Sequence, residues 1–377
     1  MEGEKKKRNG HNVVMNQDKE TAKIALGGKN MKMSFRYYGA TDPIPLDYIR
    51  QIPNLSTIVS AVYDVKPGEI WPLESLFKLR DDCLAKGLSF EVVESIPVSE
   101  EIKLGGKDRD RLIANYCENI ARVAKAGVKC VCYNFMPVFD WIRTNLSYAN
   151  EDGSYSLSYD AKDFASLDAK NLHLPGWDES YGQEELSALL SSYKRMGHEE
   201  LRDNLIYFLK AVIPVCEEVG VDMAIHPDDP PWDVFGLPRI ASTEEDFDAL
   251  FSAVPSPRNG LTFCLGSLAE SSSNDVYAMA KKYAKEGRIK FAHLRNVKLD
   301  GDDGSFHESG HISKDGSVDM ARFVSLLVEN GFDGYVRPDH GRKIWGEKGN
   351  PGYGLYDRAL GIAYLNGLFE MAEKGKK

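Results

Sequence analysis

In LTFCLGSLAESSSNDVYAMAKKYAKEGRIKFAHLRN, residues 261–296, a short apolar run (LTFCLGS, 261–267) gives way to a helix-like stretch over 272–286. That stretch stops at Gly287, and a second apolar run follows (IKFAHLRN, 289–296). Strand, helix and strand in succession form the unit from which a parallel sheet with helical crossovers is built. Each run also ends close to a residue with metal-binding chemistry, Cys264 in the first and His293 in the second.

The same rhythm extends in both directions. Upstream lie MKMSFRYYG (31–39), LSTIVSAVYD (55–64), LSFEVVES (88–95), VKCVCYNF (128–135) and VDMAIHPDD (221–229); downstream lies DGYVRPDHG (333–341). Helix-like segments fall between them, at 73–86, 109–126, 199–218 and 317–330. In the second of these, Leu112, Ile113, Tyr116, Ile120, Val123 and Ala124 recur at spacings of three and four, which gives one apolar face before Gly127 ends it. Eight strand units predict an α/β chain folded as a single closed (β/α)8 TIM barrel. An open doubly wound sheet with a dinucleotide half has no support, because no GxGxxG follows the first run. The fourth run ends at 135 and the fifth begins at 221, and residues 141–177 lack sustained periodicity. An insertion of about 141–197 is therefore expected after strand 4, at the C-terminal face where it can cover a site, with helices near 182–195 and 199–218.

Composition narrows the function classes. The 377 residues carry 47 Lys and Arg against 57 Asp and Glu, a net charge of −10. This speaks against nucleic-acid partners and against anionic membrane surfaces. No apolar stretch reaches the roughly 20 residues of a membrane span. The six cysteines form neither a CxxC pair nor a zinc framework, which points to a reducing, cytoplasmic setting. Cys130 and Cys132 are expected to face opposite sides of their strand. Residues 1–30 are polar, lack a signal peptide's apolar segment, and are read as a flexible leader or an expression-derived extension; residues 31–377 are read as the catalytic domain.

A barrel of this type builds its active site from the C-terminal ends of its strands. Those ends supply Arg36, Asp64, Glu94, Asn134, His226, Cys264, His293 and Asp339. His226, Cys264, His293 and Asp339 come from strands five to eight, and together offer two imidazoles, a thiolate and a carboxylate to a divalent metal. Zinc suits these donors; Mn2+ or Fe2+ suits them if an oxygen-rich ligand expands the shell, with the thiolate favouring Fe2+. Taken singly, Cys264 reads as an inert core residue and a strand-end histidine as a hydrogen-bonded one. Four on consecutive strands reverse that balance. His307, Glu308 and His311 in FHESGHI either line the site or belong to a solvated loop. In YVRPDHGR, Arg337 and Arg342 either bind a carboxylate or form an internal network with Asp339 and Asp228.

Longer blocks of sequence are more specific. RYYG (36–39), YDVKPGEIWP (63–72), ESIPVSEEIKLG (94–105), YNFMPVFDWIRT (133–144), IHPDDPP (225–231), GLPRI (236–240), HLRNV (293–297), VRPDHG (336–341) and NPGYG (350–354) resemble the mannonate dehydratase family, in order, from Met31 to about residue 371. The resemblance implies a xylose isomerase-like metal-dependent barrel. It also implies conversion of D-mannonate to 2-dehydro-3-deoxy-D-gluconate and water in hexuronate breakdown. It places the metal on His226, Cys264, His293 and Asp339, and the substrate against Arg36, Tyr38, Asn134, Trp141 and Arg295, with His340 and Tyr353 also facing it. Elimination across C2 and C3 needs a base and an acid. His340 and Tyr353 are the proton-transfer candidates, with Asp339 holding the metal and in reach of a proton. The expected cofactor is Mn2+ or Fe2+ and the expected partner a small sugar acid; the outer helices of a barrel also allow a homodimer.

Overall fold

The structure, a computed structural model, describes residues 31–167 and 182–375. The leader at 1–30 and residues 168–181 of the expected insertion lie outside them. Eight strands close into a parallel barrel: β1 (Lys32–Arg36), β2 (Leu55–Ser60), β3 (Ser89–Glu94), β4 (Cys130–Tyr133), β7 (Asp222–Ile225), β8 (Asn259–Cys264), β9 (Ile289–His293) and β12 (Tyr335–Arg337). Their circular order, β1-β12-β9-β8-β7-β4-β3-β2, is the order of the chain with the ring closed between β12 and β1. These are the eight strands the sequence predicts.

The helices form where the pattern places them. Helix Arg109–Lys125 buries Ile113, Tyr116, Ile120 and Val123 against the barrel, and Gly127 follows with φ of +101°. Each such side chain contributes about 2 kcal/mol by leaving water. Helix Val276–Lys285 starts on Asp275, whose side chain accepts from the backbone N–H of Tyr277 and Ala278. Helix His198–Val219 ends on Gly220 in the left-handed conformation, φ 72°, which a glycine adopts without a Cβ clash. Among the described residues no helix is long and apolar enough to cross a membrane.

Inside the barrel, Val59, Val92, Cys130, Cys132, Ala224 and Phe291 form their own cluster. Cys130 and Cys132 thus share one face, contrary to expectation, because strand side chains repeat every two residues.

A second sheet is absent from the sequence reading. After β4 the chain forms a hairpin, β5 (Asn145–Ala149) and β6 (Tyr155–Tyr159); after β9 it forms another, β10 (Val297–Leu299) and β11 (Phe306–Glu308). The two join as a four-stranded sheet, β10-β11-β6-β5, with antiparallel pairing throughout. Part of the insertion is therefore regular, and FHESGHI begins with β11, an interior strand of this sheet, rather than lying in a solvated loop. Strands of three to five residues are too short to declare themselves by alternation.

Candidate active site

Strand register sets the floor of the barrel mouth. Cys264 on β8 pairs with His293 on β9, which pairs in turn with Arg337 on β12. His226 follows β7 directly, and its ring lies 5.1 Å from that of His293. The ligand atoms of His226, Cys264 and His293 all lie within 4.8 Å of one another. Asp339 stands beside this trio, with Oδ2 3.5 Å from the Cys264 sulfur. Pro338 and a φ of 61° at Asp339 turn the chain sharply after β12 and bring the carboxylate there; aspartate tolerates this left-handed conformation better than most residues.

The chemistry of this set fits a divalent cation. Burial and the neighbouring Arg337 guanidinium hold the His293 imidazole well below its usual range, so it is neutral, and its Nε2 is buried without a hydrogen-bond partner. Burial works against ionisation of Asp339, but Arg337, His340 and Arg295 outweigh it and keep the carboxylate ionised. Burial pushes the Cys264 thiol up to about 12. A bound cation would displace that proton. Glu94, Cys132 and His293 form a second close group. Two guanidinium groups already hold Glu94, Arg36 at 3.1 Å and Arg337 at 2.8 Å, which disfavours a second cation there.

Above the floor opens a cavity of about 620 Å³. Of the sequence-predicted residues, Arg36, Tyr38, Asn134, Trp141, His226, Asp339, His340 and Tyr353 line it. Cys264 and His293 are completely buried beneath. Arg295 does not border the cavity: it is 1% exposed, and it donates to Asp339 (3.0 Å), Asp229 (2.7 Å), Ser267 (3.0 Å) and Glu270 (2.9 Å). Asp64 lies beyond the end of β2 and is exposed, and Tyr63 lines the wall in its place.

Glu94, read from the sequence only as a strand-end residue, and Arg337, read as binding either a carboxylate or an internal network, also line the cavity. Glu94 closes β3 and holds both Arg36 and Arg337. Arg337 reaches the cavity with Nε and Nη1 buried and without partners, and contacts Asp339 at 2.7 Å through Nη2. Its internal network includes Asp339 but not Asp228, which instead accepts from Ala241 and Ser242. Arg342 points elsewhere, to Asp357 and Asp152.

One wall carries a hydrogen-bonded line. Tyr353 lies 3.0 Å from His340 Nε2, and His340 Nδ1 lies 2.8 and 3.0 Å from the two oxygens of Glu308. Burial would lower the His340 pKa, but Glu308, Tyr353 and Asp339 outweigh it and raise it to about 9. Behind Glu308, Arg143 donates to Glu308 (2.9 Å), Glu270 (3.2 Å) and Asp229, wholly buried. Arg143 and Glu270 stand far apart in sequence from the groups they serve, and no spacing rule connects them.

Comparison with known proteins shows the family. The family model described as D-mannonate dehydratase (UxuA) matches residues 31–377. A mannonate dehydratase of Streptococcus agalactiae is 50% identical over 349 residues, covering 92% of this chain and 100% of the relative. The crystal structure of mannonate dehydratase from Streptococcus suis serotype 2 superposes with a TM-score of 0.86 at 46% identity, covering 92% of this chain and 96% of that one. A xylose isomerase domain protein from Planctomyces limnophilus shares the fold alone, at 11% identity and a TM-score of 0.53, over 92% and 99% of the two chains.

Proposed function

The chain belongs to the D-mannonate dehydratase (UxuA) family, and on that premise we propose how its residues divide the work of removing water from D-mannonate. It is a hydro-lyase, and its product is 2-dehydro-3-deoxy-D-gluconate. The observation that carries the reading is the meeting, at one barrel mouth, of a neutral histidine–thiol–carboxylate floor with arginines and a His–Tyr pair.

His226, Cys264, His293 and Asp339 would hold a divalent metal, Mn2+ or Fe2+. When bound, such an ion supplies positive charge that stabilises the negative charge developing beside the substrate carboxylate. Arg36 and Arg337 border the cavity that would receive the same anion. Their fork geometry matches a carboxylate. Tyr38 and Trp141 flank the sugar chain, and Asn134 offers an amide to its hydroxyls. Arg295 acts through Asp339, which it holds from behind, rather than on the substrate.

The elimination takes a proton from C2 and expels the C3 hydroxyl as water. His340 and Tyr353 share these transfers. With its pKa raised to about 9, His340 is cationic at neutral pH and can give a proton to the departing hydroxyl. The resulting enol takes a solvent proton at C3 and becomes the 2-keto acid. A single catalytic domain from residue 31 onward, a reducing cytoplasmic setting consistent with six free cysteines, and a homodimer complete the proposal. Sedimentation of the holoenzyme reads the last of these.

The test is turnover of D-mannonate in D2O by the metal-loaded protein, followed by NMR. The expected product is a 2-keto acid with one deuterium at C3. Conversion of neutral aldoses with D-mannonate left untouched would instead make the protein an isomerase, and would sink this reading.

A further inference from the structure

We propose that Glu308, on the auxiliary sheet, is a positioning residue that fixes the orientation and Nδ1 proton of His340. This deepens the proposed dehydratase reading and rests on it.

Three observations carry the inference. First, both carboxylate oxygens of Glu308 lie within hydrogen-bond distance of His340 Nδ1, at 2.8 and 3.0 Å. A carboxylate without a proton only accepts, so Nδ1 must carry the hydrogen, and Nε2 is left to Tyr353 and the cavity. Second, Glu308 is itself immobilised. It is 3% exposed, and Arg143 reaches it through Nε at 3.2 Å and Nη2 at 2.9 Å. Third, Glu308 lies outside the barrel sheet. It ends β11, whose pairing with β6 runs through Phe306 and His307 and ties the insertion to the loop after β9. His340 follows the last barrel strand. The auxiliary sheet thus delivers a carboxylate to the back of a cavity-facing imidazole, as a third group does in hydrolytic triads.

A purely structural Glu308 would serve only to neutralise Arg143 and Arg295. The two roles separate in experiment. Glu308→Ala and the isosteric Glu308→Gln are assayed as Mn2+-loaded holoenzyme with D-mannonate. Ring-nitrogen NMR of 15N-histidine-labelled, metal-free protein is read in parallel, with the His340 signal assigned by its loss in His340→Gln. Positioning predicts a kcat about 10²-fold lower in Glu308→Ala with KM within about threefold. It predicts a smaller loss in Glu308→Gln, which keeps an accepting oxygen, partial recovery in Glu308→Asp, and a changed His340 Nδ1 resonance in Glu308→Ala. If Glu308→Ala fails to fold, Glu308→Gln carries the same readings. An unchanged kcat in a folded variant, or an unchanged His340 resonance, overturns the proposal. If wild-type protein leaves D-mannonate intact, the dehydratase reading falls, and the resonance alone decides the role of Glu308.

Discussion

Asp339 sits where every charge of the site converges. Its carboxylate takes Arg337 at 2.7 Å and Arg295 at 3.0 Å, and stands 3.5 Å from the Cys264 sulfur. Asp339→Asn keeps the shape but removes the charge, leaving two buried guanidinium groups opposite a neutral amide. We predict that this variant binds Mn2+ at least 10-fold more weakly, as read by titration calorimetry on the folded protein. Arg36 poses a different question, because it faces the cavity and leans on Tyr38 and Tyr63. Losing a charge-assisted contact costs about 1.5–3 kcal/mol. Arg36→Met is therefore expected to raise KM for D-mannonate by about 10- to 100-fold, with kcat less affected; steady-state kinetics would contradict this if KM stayed put.

Among the elements, the two hairpins do more than decorate the rim. Arg143, at the start of the insertion, is wholly buried against three carboxylates that come from the loop after β7, the helix after β8 and β11. Removing one partner of such a cluster leaves the others charged and uncompensated, at a cost of about 3–5 kcal/mol. Arg143→Met should lower the urea midpoint accordingly; a midpoint within error of wild type would show that the cluster relaxes. At the opposite end of the barrel, Glu91 on β3 joins β1 through Lys32 (2.6 Å) and β12 through Tyr335 (2.7 Å). Burial raises its pKa, but the Lys32 and Tyr335 contacts dominate and lower it. A depressed folded-state value means this stabilisation is present above the ordinary glutamate pKa and is lost as pH falls through the folded value. Lys32 is partly exposed, so screening limits the effect to about 1 kcal/mol. Glu91→Gln should therefore bring its Tm closer to wild type as the pH is lowered from 7 to 4. The barrel strands were legible because each belongs to an apolar run, and several follow a helix and a glycine stop, as at Gly87, Gly127, Gly220, Gly287 and Gly331. The hairpins were not, since Asn145–Ala149 and Phe306–Glu308 mix polar residues such as Asn145, Ser147 and His307 into the run. Arg143 and Glu270 escaped for a related reason: buried ion pairs between distant segments leave no local pattern.

Over the whole molecule, a net charge of −10 surrounds a mouth where Arg36, Arg337 and His340 stand among the carboxylates of Glu94, Asp140, Asp229 and Asp339. These side chains largely neutralise one another, so positive charge for an anionic substrate would have to come from a bound divalent metal as well. Strand ends exposed the candidate metal-binding residues to sequence reading because a parallel barrel aligns all its C-terminal ends, a constraint of topology rather than of any motif. Arg295 shows the limit of that logic. Two residues past a strand end, a side chain can turn either to the cavity or behind the floor, and only packing against Gly266 and Asp339 decides. If a divalent metal on His226, Cys264, His293 and Asp339 enables dehydration of D-mannonate, 2-keto acid formation by metal-stripped protein should depend on anaerobic addition of Mn2+ or Fe2+. We predict no product without metal, product with it, and neither product nor stoichiometric metal in folded His293→Ala. Undiminished turnover by stripped protein, or full activity in His293→Ala, would contradict the account.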